Sequence, residues 1–448
     1  MADSLAAKPT WCLAEWMPED TGFWSAVGER VARRTLWITT GGLTLSFATW
    51  FMWSVIVVRL PGLGFDLSVS QLFWLAAIPG LTGATLRIPY SFLVQIFGTR
   101  AVVTLGTATL LIPSVGVGLA VQNPSTPFWV LVVLAATAGF GGGNFSAFMS
   151  STSYFFPKAR QGTALGLQAG IGNLGVSLVQ FLTPLVIAVP LFGSLGGEPL
   201  SVSGGSGGEA VYIQNAAFLW VVPVMLFTLA AAWGLRTIPV RGTLGEQSTI
   251  FRRKHTWTMT VLYFMTFGSF SGLAAAFGLL IGQVFGRFDD APDPLRYVFL
   301  GALIGSLARP LGGYISDRLG GAKVTLVCAL LLLAGSVAIT FTTKPTSAAQ
   351  FGSFLAVMLV LFLASGIGNG STFRMIPIIF PPKEAGPVLG WTSAVAAYGA
   401  FLVPMLLNCS FARYGSPDAA FLGMAVFYTA NVVICWHYYV RKHAEVKC

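Results

Sequence analysis

Acidic side chains are scarce in this chain, and where they are missing is informative. Of its 448 residues 9% are charged, with 16 Asp and Glu against 26 Lys and Arg, and there are three His and five Cys. A soluble domain carries about 25% charged residues, so a soluble fold is excluded. The acids fall in the terminal segments, in loops or at segment ends, and none stands midway along a long apolar run. His255, His437 and His443 also stand at segment ends, which leaves no group at depth that titrates near neutrality. Cys12, Cys328, Cys409, Cys435 and Cys448 show no metal-ligand spacing and no evident pairing, so neither a metal centre nor a disulfide framework is expected. No cofactor or nucleotide motif is present, and no His, Asp, Glu or Cys cluster at depth suits an intramembrane enzyme. The N-terminal MADSLAAKPTWCLAEWMPEDTGFW has no basic stretch followed by a short apolar core, so a cleaved signal peptide is not expected.

Apolar length is what the chain has. Hydrophobic residues make up 55% of it, and windows of about 20 residues, enough to cross ~30 Å of hydrocarbon, recur throughout. They lie near 35–58, 70–92, 101–121, 127–151, 162–189, 212–236, 257–283, 295–316, 323–342, 351–376, 387–409 and 418–440. The expected class is therefore an all-α membrane protein with twelve transmembrane helices. The net charge of +10 points to the lipid bilayer and not to nucleic acid. Lys and Arg crowd into the termini and alternate loops, as in Arg30, Arg33, Arg34, Arg100, Lys158, Arg160, Arg252, Arg253 and Lys254. The opposite loops hold only Arg59, Arg287, Arg296, Lys344 and Arg413. The positive-inside rule then predicts a multi-pass protein of the cytoplasmic (inner) membrane with both termini cytoplasmic.

The second half echoes the first. LRIPYSFLVQIFGT around Arg87 aligns with ARPLGGYISDRLGG around Arg309, and each arginine stands eleven residues before a glycine, Gly98 or Gly320. GGGNFSAFMSSTSYFFPK aligns with GIGNGSTFRMIPIIFPPK at an offset of 225 residues, matching Asn144 to Asn369. The predicted organisation is a cytoplasmic segment over 1–34, a six-helix half over 35–236, a linker over 237–256, a second half over 257–440 and a tail over 441–448. Two such pseudo-symmetric halves resemble the major facilitator architecture. So does the G-x-x-x-D-R-x-G run containing Asp317 and Arg318, which is expected to latch the cytoplasmic face; the plainer alternative is a solvated turn. By default for that architecture a monomer is expected.

Three arginines, Arg87, Arg309 and Arg374, lie in segments apolar enough to cross the bilayer, with no carboxylate expected at their depth. A guanidinium stays protonated, and at the bilayer centre it costs roughly 3 kcal/mol or more. A small planar oxyanion supplied from outside would satisfy it, because a guanidinium donates paired N–H bonds in one plane. Arg87 lies thirteen residues before Arg100, about 20 Å along a helix, and Arg309 nine residues before Arg318, about 13 Å. The repeat would bring both to one central site. The alternative is snorkelling, or a backbone-carbonyl clamp beside Pro89 and Pro310. Arg374 stands nine residues before Lys383, so it belongs either to that site or to the cytoplasmic edge. Gly166, Gly170, Gly172 and Gly175 of span five, with Gly390 and Gly399 of span eleven, mark close helix packing and segments that bend during a conformational change. Asn144 and Asn173 either hydrogen-bond an anion or bridge helices; the residues alone leave both open.

Taken together, GGGNF…FFPK…QG-x-ALGL, the span-five G-x-x-x-G-x-G-N-x-G, ATLRIPYSF and TFGSF resemble the NarK-type nitrate/nitrite porters of the major facilitator superfamily, over roughly 35–440. The resemblance implies a transporter, not an enzyme, whose partners are nitrate and nitrite. It places the anion between Arg87 and Arg309, with Tyr263 as a hydroxyl donor and Phe47, Phe145 and Phe267 as aromatic walls. It also makes Asn144 and Asn173 signature residues of the site. Span eleven, Gly390-Trp-Thr-Ser-Ala-Val-Ala-Ala-Tyr398-Gly399, carries fewer glycines than span five, and span ten adds Arg374. Both traits resemble the branch linked to proton-coupled uptake. The acid-free interior instead favours obligatory exchange. The coupling mode stays open, with a lean to proton-linked nitrate import; another small monovalent anion such as formate or chlorate is the rival cargo.

Overall fold

A computed structural model describes residues 11–13, 15–202, 210–239 and 249–448. Residues 1–10 and 14 of the expected N-terminal segment, and 240–248 of the expected linker, lie outside the described residues. Among the described residues twelve helical segments are long and apolar enough to cross a membrane. In chain order those of the first half are α1 (Thr21–Arg59), α2 (Val69–Phe97), α3 (Thr99–Ala120), α4 (Phe128–Phe155), α5 (Lys158–Val186) and α6 (Asn215–Gly234). Those of the second are α7 (Lys254–Phe285), α8 (Pro294–Leu319), α9 (Gly321–Phe341), α10 (Ala348–Ile379), α11 (Glu384–Tyr414) and α12 (Asp418–Val440). A two-residue antiparallel ladder, β1 (Leu200–Ser201) with β2 (Ala210–Val211), decorates the α5–α6 connection.

The first helix starts earlier than its apolar window. Asp20 accepts from the Phe23 N–H at 2.7 Å and caps the new helix. The following turns carry Glu29, which pairs with Arg33 (2.8 Å) and Arg160 (3.2 Å). Hydropathy reports where a helix enters lipid, whereas capping reports where it begins.

The internal repeat has a backbone counterpart. α2 ends at Gly98 (φ +80°) and α8 at Gly320 (φ +91°), a conformation that side-chain-bearing residues rarely adopt. The most extensive helix pairs in the two halves are α2 against α4 and α8 against α10. A Cβ on Gly142 would come within 2.7 Å of the Gly83 Cα, and one on Gly370 within 2.1 Å of the Arg309 carbonyl oxygen. Without side chains at the crossing, the backbones carrying Arg87 and Arg309 approach their neighbours closely.

The halves meet on the face away from the linker. Gln180 of α5 donates to the Ala274 carbonyl of α7 at 3.0 Å, and Asn408 of α11 to Ser70 at 3.1 Å. Arg59 pairs with Asp293 at 2.7 Å across the halves. On the linker face they part around a cavity of about 370 Å³ whose lining runs from Arg87 to Gln95, Tyr154, Ile250 and Gly386. Cysteines in place of Arg59 and Asp293, joined by a short bifunctional thiol reagent, are expected to trap this arrangement. Transport should then be lost and return on cleavage of the cross-link. Undiminished flux in the cross-linked protein would show that this contact need not open.

Candidate anion site

Arg87 is fully buried and Arg309 is 6% exposed. Arg87 projects from α2 towards α4 and α11. Its Nε donates to the Gly142 carbonyl at 3.0 Å and its Nη1 to the Ser393 carbonyl at 2.7 Å, so one side chain spans both halves. Its Nη2 has no partner. Arg309, on α8, places Nη2 at 3.5 Å from the Tyr263 hydroxyl, and its Nη1 has no partner. Among the described residues neither guanidinium is paired with a carboxylate. The carbonyl clamp given above as the alternative is thus present at Arg87, yet it uses only part of the fork. A buried donor without an acceptor costs about 1–3 kcal/mol, and more when charged.

Aromatic rings wall the pair. The Arg87 guanidinium carbon lies 4.4 Å from the Phe145 ring centroid and 5.3 Å from that of Phe267. Phe267 stacks on Tyr263 at 5.8 Å with the planes 9° apart. Residues Phe264–Gly268 form a π-helical turn in α7, a local widening that often marks functional positions. Phe47 stands behind, edge-on to Phe145 at 6.0 Å. Two rings escape a reading of the residues. Phe373 of α10 lies 4.7 Å from the Arg309 guanidinium carbon and Trp50 of α1 lies 5.3 Å from that of Arg87. Their spacing carries the only hint: Phe373 follows Asn369 by one turn, and Trp50 follows Phe47 by nearly one.

One signature amide, Asn144, is held in the scaffold. Asn144 donates to Ser46 Oγ at 3.0 Å and to the Gly106 carbonyl at 2.7 Å, so both N–H bonds tie α4 to α1 and α3. Asn173 is buried with its Oδ1 unpartnered. The signature glycines divide. A Cβ on Gly172 would meet Leu43 at 2.7 Å, on Gly175 the Thr44 carbonyl at 2.1 Å, and on Gly399 the Gly268 carbonyl at 2.2 Å. Gly170 faces Pro310 at 3.7 Å, and Gly166 and Gly390 face open space. The Tyr398 hydroxyl bonds Thr85 at 2.9 Å, joining α11 to α2 near Arg87.

Arg374 requires a correction. It is not a third acid-free arginine, because its Nε bonds Asp317 and its side chain is 41% exposed. α10 carries it to the linker end of the bundle, where α8 ends and supplies the acid. Asp317 thereby ties α8 to α10 within one half. Arg318 lies over the Tyr314 ring, 4.4 Å from its centroid, one turn back on the same helix.

A bundle of two repeated six-helix halves, closed on one face and open on the other down to its centre, defines a multi-pass membrane transporter. The model of the Major Facilitator Superfamily matches residues 42–404 and 295–447. The chain is 55% identical over 444 residues to the "Probable nitrate/nitrite antiporter NarK2" of Thermus thermophilus, covering 99% of each. It is 40% identical to the "Nitrate/nitrite transporter NarU" of Escherichia coli K12 over 457 residues, 97% of each. A solved bacterial homologue of the human lysosomal transporter Spinster superposes with a TM-score of 0.65 at 17% identity, over 91% of this chain and 96% of that one, a likeness of fold. The chain belongs to the major facilitator superfamily and, within it, to the NarK-type nitrate/nitrite porters. These relatives are transporters and not enzymes.

Proposed function

We propose that the protein moves nitrate and nitrite across the cytoplasmic membrane by alternating access, with the anion held between Arg87 and Arg309. One observation carries this reading. Two buried guanidiniums from opposite halves each keep an N–H without a partner and have no acid beside them. A planar trioxo or dioxo monoanion supplies acceptors to both and offsets their charge. Tyr263 adds a hydroxyl, and the rings of Phe145, Phe267 and Phe373 keep the dielectric low, which strengthens the contacts and disfavours strongly hydrated anions. The positive-inside distribution makes the linker face, with the cavity, the cytoplasmic one.

For the coupling mode the balance tips from proton-linked import to exchange. Among the described residues the groups around the arginines include no carboxylate or histidine to carry a proton, and the 55%-identical Thermus relative bears the name antiporter. A return crossing without an anion brings two unneutralised cations together in a low dielectric, so the loaded crossing is favoured. The span-ten and span-eleven traits speak for proton linkage instead. Purified protein in vesicles separates the two. Nitrate uptake should require nitrite inside and ignore an imposed proton gradient. Gradient-driven uptake into vesicles loaded with buffer alone would reverse the assignment, and no nitrate flux in either case would point to formate or chlorate.

A further inference from the structure

The cavity is larger than its expected cargo needs. At about 370 Å³ it falls within the range of pockets that enclose a drug-sized ligand, roughly 300–1,000 Å³. Its walls are chiefly rings and aliphatic chains, with Phe92, Phe251, Phe373, Leu389 and Trp391 among them. Among the described residues lining it, one is charged: Arg87, whose Nη2 is buried and unpartnered. Phe145, also in the lining, has its ring centroid 4.4 Å from that guanidinium carbon. The mouth is aromatic as well. Phe251, from the short segment ahead of α7, meets Trp391 edge-on at 4.8 Å, and Trp257 lies 6.0 Å from Trp391. Arg253 pairs with Glu384 at 2.9 Å beside them, so that cation is already neutralised and does not compete with Arg87 for an anion.

We infer that this cavity binds aromatic monocarboxylates, such as benzoate, from the linker side. The carboxylate is drawn to Arg87, whose charge no acid offsets and whose Nη2 stays free once the Gly142 and Ser393 carbonyls hold Nε and Nη1. The ring lies among Phe251, Trp391 and Phe373, where aromatic pairing adds to burial. Such a ligand fills the passage below the arginine pair and blocks nitrate from that face alone. The inference rests on the reading of Arg87 as an anion ligand, and adds to it a second, ring-selective part of the site.

Calorimetric titration of the purified full chain with benzoate, and with benzamide as its neutral isostere, tests this. Benzoate is expected to bind at least ~10-fold tighter than benzamide, the margin of a charge-assisted bond. Trp391→Ala should weaken benzoate ~5-fold or more while leaving the nitrate KM within about twofold. Should Trp391→Ala fold poorly, Phe251→Leu supplies the same comparison from outside the bundle. Equal affinity for benzoate and benzamide, or unchanged benzoate affinity in a folded ring variant, overturns the inference. Because the readout is heat and not flux, the two readings fail separately. Benzoate binding without nitrate heat or flux sinks the nitrate assignment alone, and nitrate flux without benzoate selectivity sinks the aromatic site alone.

Discussion

Arg87→Lys and Arg309→Lys are each expected to transport nitrate at below about 1% of the wild-type rate while remaining folded. Arg87 divides its fork three ways: Nε to Gly142, Nη1 to Ser393 and Nη2 left for the anion. A lysine places its donors on one nitrogen and cannot hold both carbonyls and still present a planar pair to an oxyanion. Arg309 divides its fork between Tyr263 and a free Nη1. Losing two charge-assisted bonds, at about 1.5–3 kcal/mol each, corresponds to a factor of roughly 10²–10⁴. The measurement is nitrate flux in vesicles, with size-exclusion profiles to establish folding. Wild-type flux in either variant would remove the arginine pair from the mechanism.

Gly370→Ala is expected to lower both stability and flux, although it adds only a single methyl group. The new Cβ would lie 2.1 Å from the Arg309 carbonyl oxygen, so α8 must retreat by about 1 Å to restore van der Waals contact. Overpacking of this kind costs about 1–3 kcal/mol. Here it also displaces the backbone that carries Arg309, and a binding constellation tolerates about 0.5 Å. Flux should fall at least ~10-fold and the thermal midpoint by several degrees. Gly166→Ala is the control, since nothing lies within 4 Å of its added Cβ. A helix-interior Gly→Ala exchange is favourable by up to about 1 kcal/mol, so its thermal midpoint should not fall. Equal behaviour of the two variants would mean that helix propensity, and not the α8–α10 approach, governs these glycines.

Much of the architecture was legible because it is written locally. Twelve apolar windows, alternating basic loops and a repeat offset of 225 residues each depend on composition and spacing along one segment. The arginine pair was legible for a related reason. A charge in an apolar run without a nearby acid is anomalous in one dimension, and the anomaly survives folding at Arg87 and Arg309. It did not survive at Arg374, because Asp317 reaches it from a different helix.

By itself the sequence determined the class and the family, and it marked three arginines, Arg87, Arg309 and Arg374, as charges set in apolar runs. Only the tertiary structure decided that Asn144 spends both its N–H groups on the scaffold. It also decided that Phe373 and Trp50 join the wall, which signature glycines are crowded, and that the linker face is the open one. The physical reason is common to all of these. Hydropathy and helical period set where a helix runs and which stripe it hides, whereas who meets whom across a crossing depends on the rotation and separation of two helices. Those are set jointly by small residues on both partners, and no single segment carries that information.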